Sequence, residues 1–412
     1  MGEDEKAFWR RRFLSGRTPK ACRNGPCVWF HAASVGEVTG GLGVIGRLPD
    51  VDPQVEVFLS VGTPQGYRFA RSHVPKNVQV FEAPMDVPWA VWRTVTSLRP
   101  DVFVTLESEF WPLLHWCLRK HGIPVVLLNG RVSEKSWRQY RRFFFIFGHV
   151  FRSIQWACVN TVEDQQRLVT LGVSPQRITV TGSAKYDTLT HRADPSLVEA
   201  WRRRLGLSSE APALVAGSLR GEECQALLEI FIKLKRECPR LVGIFAPRHL
   251  DRVASMIAWL QGHGVPYDLL SSFLSNESQR RQSDCLVVDG IGHLFELYGL
   301  GHFIFCGGTL APVGGHNIVE PLAWGKTVYY GPHVEKVWEE QVVLQRHGAG
   351  IMVHSPEDLY GRWRHALLSG AFGGWKKDAA RKALEELGGA AERQLTSLQP
   401  FLWRAKAQEA SK

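Results

Sequence analysis

Cys27-Val-Trp-Phe-His-Ala-Ala-Ser-Val-Gly-Glu37 is the stretch that decides the fold class. Residues 27–33 form an unbroken apolar and aromatic run of strand length. Ser34 then stands three residues before Glu37, the spacing of a capping box that opens a helix, and Gly36 permits a tight turn. A strand that turns at once into a helix is half of a βα unit. The same pattern recurs outward from it. Strand-like runs occupy 55–61, 78–83, 101–106, 124–130, 154–160 and 177–182. Helix-length segments separate most of them, at the ~20–25-residue repeat of a parallel sheet. A polar stretch, YDTLTHRADPSLVEAWRRRLG (186–206), interrupts the strands. They restart at 212–218, 241–247, 285–289, 302–308 and 327–331, and from about Pro356 the chain reads mostly as helix. The pattern predicts two doubly wound α/β domains, 1–190 and 211–390, with a linker at 191–210. A C-terminal helix over 391–412 is expected to pack back on the N-terminal domain. Ligands of such sheets bind at the carboxyl ends of the strands, here in a cleft between two facing sheets.

The length of 412 residues agrees with two or three domains at about 150 residues each. A content of 44% hydrophobic and 22% charged residues is that of a globular chain rather than a disordered one. Lys and Arg number 50 against 40 Asp and Glu, a net charge of +10. That surplus points to an anionic partner: nucleic acid, an anionic membrane, or a phosphorylated or carboxylated substrate. Fifteen Trp residues add a taste for binding faces and membrane boundaries. The longest stretch free of formal charge, Leu297 to Val319, is too rich in Gly and polar groups to span a bilayer. The start, MGEDEKAFWRRRF, lacks the apolar core of a secretory signal. Eight scattered Cys, without a C-x-x-C, read as reduced core residues in a reducing compartment, and no His/Cys spacing matches a zinc site.

The chemistry-bearing motifs follow strands. Glu37 reads either as the capping partner of Ser34 or as a general base at a strand's carboxyl end. Glu107-Ser-Glu109-Phe-Trp-Pro112 opens a helix whose first-turn carboxylates either complement its dipole or orient a substrate or base. Asn129-Gly-Arg131 begins another helix. Its continuation, RQYRRFFFIFGHVFR (138–152), sets Arg138, Arg141 and Arg142 beside Phe143 and Phe144. That run reads as a buried helix with a basic rim or as a face for an amphiphilic acceptor or bilayer. Ser183 and Lys185 close the first domain. Ser218 and Arg220 sit in GSLRGEE (217–223), where small residues free backbone N–H groups for an anion. Pro247-Arg248-His249 ends the next strand. Residues 307–321 carry Gly308, Gly314, Gly315, His316, Asn317 and Glu320. A helix beginning near His316 is expected to aim its positive end at a leaving phosphate, with Glu320 taking two ribose hydroxyls.

Taken together, HAASVGE, ESEFWP, NGRVSEKS, GSAKYD, GSLRGEE, PRH, GGHNIVEPLAWGK and GPH occur in the order and spacing of the Kdo (3-deoxy-D-manno-oct-2-ulosonic acid) transferases. The chain resembles that family over roughly residues 26–400. The resemblance implies a GT-B fold and CMP-Kdo as donor. It also implies a lipid A precursor of the lipid IVA type as acceptor, and an inverting, metal-independent transfer without a cofactor. It places the enzyme at the cytoplasmic face of the bacterial inner membrane, in lipopolysaccharide inner-core synthesis. Carried over residue by residue, Glu37 resembles the general base and Glu109 the second essential acid. Ser218, Arg220, Pro247, Arg248, His249 and the turn from Gly308 through Glu320 resemble the CMP site, with Ser183 and Lys185 near the donor. Arg131 and the Arg138–Phe144 face fall on the acceptor and membrane side. Gly130 stands where the family commonly has Ala, and members usually begin with an apolar anchoring helix at whose end this chain starts. The main rival reading is a GT-B enzyme with another nucleotide sugar. Nucleic acid is not an expected partner, and Arg10–Arg12 and Arg138–Arg142 are expected to carry the membrane-facing charge.

Overall fold

The computed structural model describes residues 3–14, 19–21, 25–208, 211–275, 281–370 and 376–409. The chain divides into two compact units, 1–188 with 388–412, and 189–387.

The first unit holds seven parallel strands: β1 (Cys27–Ala32), β2 (Glu56–Val61), β3 (Val78–Glu82), β4 (Val102–Leu106), β5 (Val125–Gly130), β6 (Ile154–Val159) and β7 (Ile178–Val180). Their order, β3-β2-β1-β4-β5-β6-β7, reverses direction of travel between β1 and β4. Six of its helices matter here: α1 (Glu3–Leu14), α2 (Val35–Ile45), α3 (Pro88–Leu98), α4 (Pro112–Lys120), α5 (Glu134–Arg142) and α6 (Phe144–Ser153). Alternation along the central strand feeds two cores, as a sheet covered on both faces requires. Trp29 packs with Phe58, Phe103 and the inner faces of α3, α4 and α6, while Val28, Phe30 and Ala32 pack against α2 on the other side.

The second unit begins with a short helix and α7 (Pro195–Arg204), then repeats the plan. Its strands are β8 (Ala213–Leu219), β9 (Val242–Pro247), β10 (Asp268–Leu269), β11 (Cys285–Val287), β12 (Phe303–Cys306), β13 (Val328–Tyr330) and β14 (Gly350–Met352). The order is β10-β11-β9-β8-β12-β13-β14, all parallel, with the reversal between β8 and β12. The helix α8 (Glu223–Glu237) follows β8 and buries Leu227, Leu228, Phe231 and Leu234 against the sheet.

The chain then returns to the first unit as α9 (Ala390–Glu409). Asp187 caps this return, accepting the N–H groups of Gly389 (2.6 Å) and Ala391 (3.0 Å). Asn129 pins it: Oδ1 accepts from Ala184 N (2.8 Å) and Gln394 Nε2 (3.0 Å), and Nδ2 donates to Gly40 O (3.0 Å). Asn129 holds φ +52°, a left-handed conformation that Asn tolerates better than most residues. Residues 410–412 of the expected terminal helix lie outside the described residues.

Three expectations are corrected. The stretch 191–210, expected as a linker, is helical over Pro195–Arg204, and Trp201 is buried in the second unit. No helix starts at His316. The chain is irregular there, and a single 3-10 turn follows at Glu320–Trp324; in a helix begun at His316, Pro321 would lack the N–H needed to bond Asn317 O. The run 138–152 is two helices, broken at Phe143 (φ −105°, ψ 34°). Strands β10 and β14, two and three residues long, were too short to read as runs.

Candidate functional site

Each unit brings chemistry to the point where its strand order reverses, the place where open α/β sheets bind ligands.

In the first unit this is the end of β1 and β4. Ser34 is the N-cap of α2, and Glu37 is its third residue. The Glu37 carboxylate accepts from Ala33 N (2.5 Å) and Ser34 Oγ (3.0 Å), so the capping role is real. Yet burial, followed by the negative charges of Glu109 and Glu107, outweighs these donors and pushes the Glu37 carboxyl up to about 8. The cap fixes the side chain, while burial and the neighbouring acids raise its carboxyl.

Glu107 ends β4 with φ +56°, a conformation rare outside glycine. Burial raises its carboxyl, against the pull of Lys185 and Arg131. Glu109 is raised mainly by burial, opposed by Trp111 and Arg12, while Glu107 adds to the rise. Its Oε2 accepts from Trp111 Nε1 (2.8 Å). Beneath lies His31, 1% exposed and held neutral at about 3, by burial first and then by Arg12 and His115. Trp29 Nε1 donates to Ser60 Oγ (2.8 Å), and that hydroxyl donates to Phe30 O (3.3 Å). The 2.8 Å contact from His31 Nδ1 to Ser60 Oγ then requires the proton on Nδ1. His31 Nε2 is left as a buried lone pair without a hydrogen bond, 3.9 Å from Glu109 Oε2. A lone pair facing a carboxyl favours the carboxyl's protonated form.

Sequence reasoning singled out Glu37 and Glu109 but not the residues packed around Glu109, His31 and Arg12. Arg12 was expected to face a membrane. It is 4% exposed instead, donating to Ala83 O (2.8 Å) and Gly62 O (2.6 Å), while Arg11 pairs with Glu82 (2.6 Å). An arginine held by two carbonyls beside a buried acid is a fixture of the core. Ser183 and Lys185 belong to this unit too, and the Lys185 charge bears on Glu107.

In the second unit the reversal joins the ends of β8 and β12. Ser218 sits in an irregular turn of β8 with φ +56°. Gly217 has no alternative, because a Cβ there would lie 2.1 Å from the Tyr298 hydroxyl. The main finding is Glu223, 3% exposed. One carboxylate oxygen accepts from Arg220 N (2.8 Å) and Gly308 N (2.6 Å); the other accepts from Thr309 N (3.0 Å), Leu310 N (2.8 Å) and Ala311 N (3.0 Å). The backbone nest after β12 is thus filled by the protein's own anion. It clamps two loops 85 residues apart, and its amides are unavailable to a donor phosphate. Thr309 carries the clamp on to the GPH motif, accepting from Gly331 N (2.8 Å) through its hydroxyl and from His333 N (2.9 Å) through its carbonyl.

Basic side chains gather one step further along. Arg220 Nε donates to His316 Nε2 (3.0 Å). Burial, then Arg220, Arg248, Lys336 and His249, bring His316 down to about 4, so its ring is neutral near pH 7. With Nε2 accepting, the proton is on Nδ1, a donor fixed among four basic side chains. Arg248 and His249 are exposed and Pro247 is buried. Asn317 Nδ2 donates to Glu320 Oε1 (3.0 Å), and Asn317 Oδ1 accepts from Val319 N (3.1 Å), which shapes the turn in place of the expected helix. Gly308, Gly314 and Gly315 all have positive φ; a Cβ on Gly308 would meet the His316 ring at 2.7 Å. Lys336 went unread in the sequence, although it stands three residues after the GPH motif.

Of the proposed acceptor face, α5 carries Arg138, Arg141 and Arg142 exposed, with no buried residue. Phe143 is exposed, whereas Phe144 is half-buried under Arg152 at 5.5 Å. Arg131 is exposed, and its charge reaches Glu107. No helix among the described residues is long and apolar enough to cross a membrane. The described cysteines are free thiols, and all but Cys238 are buried.

Residues 7–188 match the family model described as 3-Deoxy-D-manno-octulosonic-acid transferase (kdotransferase). The chain is 28% identical over 387 residues to a 3-deoxy-D-manno-octulosonic acid transferase of Haemophilus influenzae, covering 92% of this chain and 87% of that one. It is 27% identical to a bifunctional glycosyltransferase/methyltransferase of Fusobacterium nucleatum over 81% of its own length, and spans about half (51%) of that protein. Among solved structures, UDP-GlcNAc 2-epimerase from Neisseria meningitidis aligns with a TM-score of 0.61 over 90% of this chain and 99% of its own, at 12% identity. That last likeness is one of fold: two Rossmann-like domains of the GT-B kind.

Proposed function

From its likeness to the Kdo transferases we propose that this chain belongs to that family and transfers Kdo from CMP-Kdo to a hydroxyl of a lipid A precursor, with inversion and without a metal. The observation that carries the proposal is Glu37: a carboxyl at the reversal point of the first sheet, tied at both oxygens and raised to about 8. A general base works best with a pKa near the working pH. Glu37 removes the proton of the acceptor hydroxyl as its oxygen attacks the anomeric carbon of Kdo. The bond from that carbon to the CMP phosphate oxygen breaks on the opposite face, and CMP leaves. Glu109, next to Glu37 in charge, orients the acceptor or the base.

The leaving group gains negative charge on a single phosphate. Arg220, Arg248 and the Nδ1–H of His316 are the donors we assign to it, preorganised through the Glu223 clamp. Cationic side chains at a monophosphate do the work a divalent ion does at a diphosphate. Glu320 is assigned the ribose hydroxyls. The exposed arginines of α5 are assigned to an anionic bilayer at the cytoplasmic face of the inner membrane.

The test is mass analysis of the product formed from CMP-Kdo and a tetraacylated lipid A precursor. The acceptor is expected to gain whole Kdo units with release of CMP. Recovery of unmodified acceptor, or turnover only with another nucleotide sugar, would refute the proposal.

A further inference from the structure

Helices α3, α4 and α6 are apolar on both sides, which folding does not demand. Their inner faces already fill the core through Val91, Val95, Leu98, Leu114, Leu118 and Phe151. A surface helix normally turns polar groups outward. These three turn out Trp89, Trp92, Leu113, Trp116, Phe145 and Ile146, all exposed, with Phe145 at 81%. Between them runs a groove of about 830 Å³. That volume lies within the range of small-ligand sites, and an exposed apolar concavity of this size on a soluble face marks a binding site.

Two observations identify the occupant. The groove lies next in the chain to an acid of the cluster: Pro112, which lines it, directly follows Trp111, whose indole N–H bonds Glu109. Asp86 fixes this end by accepting from Leu113 N (3.0 Å) and Leu114 N (2.8 Å), and His149 Nε2 donates to Pro112 O (3.0 Å). The surroundings are basic, with Lys120 over the Trp116 ring at 5.4 Å and Arg142 over Phe143 at 5.7 Å. An apolar groove joined through Trp111–Pro112 to an acid of the cluster, with cations on its rim, fits an amphiphile with an anionic head.

We propose that this groove holds one fatty acyl chain of the acceptor and so sets the position of the acceptor head at Glu37 and Glu109. The inference rests on the acceptor reading above and adds to it the site of the chain.

The test compares the full chain with a Trp116→Ala/Ile146→Ala variant, both positions being exposed, and with Trp116→Phe, which keeps most of the apolar area. Transfer from CMP-Kdo is measured to a tetraacylated disaccharide bisphosphate and to the same disaccharide stripped of its acyl chains. The double variant is expected to raise KM for the acylated acceptor about tenfold or more. Its kcat, and its KM for the stripped acceptor, stay unchanged, and Trp116→Phe stays near the parent. An equal rise for both acceptors, or no rise, overturns the proposal. Sedimentation with phosphatidylethanolamine–phosphatidylglycerol vesicles free of acceptor is expected to be unaltered. Lost vesicle binding with an unaltered KM would make the groove a bilayer contact and overturn it. If the parent protein transfers no Kdo to either acceptor, the proposed function fails, and the groove is judged by binding alone. Tryptophan quenching by a brominated tetradecanoyl glucosamine phosphate must then saturate with the parent chain and weaken in the double variant; equal quenching in both overturns the groove as well.

Discussion

At the scale of single residues, two buried carboxylates meet their surroundings in opposite ways. Glu37 is bonded by two donors yet raised to about 8, because burial and two neighbouring acids outweigh the donors. Between its ordinary 4.5 and about 8, the unfolded chain releases this proton while the folded chain keeps it. Stability is therefore full below that window and falls as pH rises through it. Urea unfolding at several pH values should show this fall, and Glu37→Gln should remove it while abolishing transfer and sparing CMP binding. In the parent, kcat/KM should climb with pH towards a plateau above about 8; Glu109→Gln, lacking one repelling charge, should move the climb of its residual activity to lower pH. Glu223 is the reverse case, a buried carboxylate satisfied by five backbone N–H groups. Glu223→Gln turns an NH₂ towards some of these donors. A loss of about 2–3 kcal/mol in thermal or denaturant unfolding is expected, with a raised KM for CMP-Kdo as the 308–311 turn loosens.

At the scale of elements, the returning helix α9 is held by its own caps rather than by propensity. Asp187 serves its first turn, and Asn129 ties it to α2 and to Ala184. Asp187→Ala should cost about 1 kcal/mol, the usual worth of a cap. Amide hydrogen exchange should rise first over Ala390–Leu398 and around Ser183–Tyr186, and spare the second unit. Equal protection in variant and parent would show that packing of Leu395 and Leu398 alone retains the helix.

At the scale of the whole molecule, the surplus of ten positive charges is not spread evenly in role. Arg12 is spent on the core, Arg220 on the second-unit loop, and α5 carries Arg138, Arg141 and Arg142 outward. Replacing these three by Gln should weaken binding to anionic vesicles by about 1 kcal/mol per charge. The parent's vesicle affinity should fall with added salt more steeply than the variant's, while transfer to a detergent-dispersed acceptor changes little. An unchanged salt dependence in vesicle sedimentation would remove α5 from the membrane contact.

Two runs of alternating strands and helices, and the residues that follow each long strand, could be read from the chain itself. Periodicity and turn residues are local signals, and a βα unit is completed within about 25 residues. Glu37, Glu109 and Arg220 drew notice for that reason, each lying within five residues of a strand's end, and His316 through the glycine-rich run after β12. What stayed hidden depended on distant partners. The nest that Glu223 fills is built from residues 85 or more positions away, and the burial of Arg12 and His31 is set by neighbouring strands and loops. The outward tryptophans of α3 and α4 look in sequence like any helix-face apolar residues; only packing tells which face the core has already taken. Local pattern fixes where the backbone turns, whereas charge state, burial and an unfilled apolar face arise from neighbours that only the folded chain supplies.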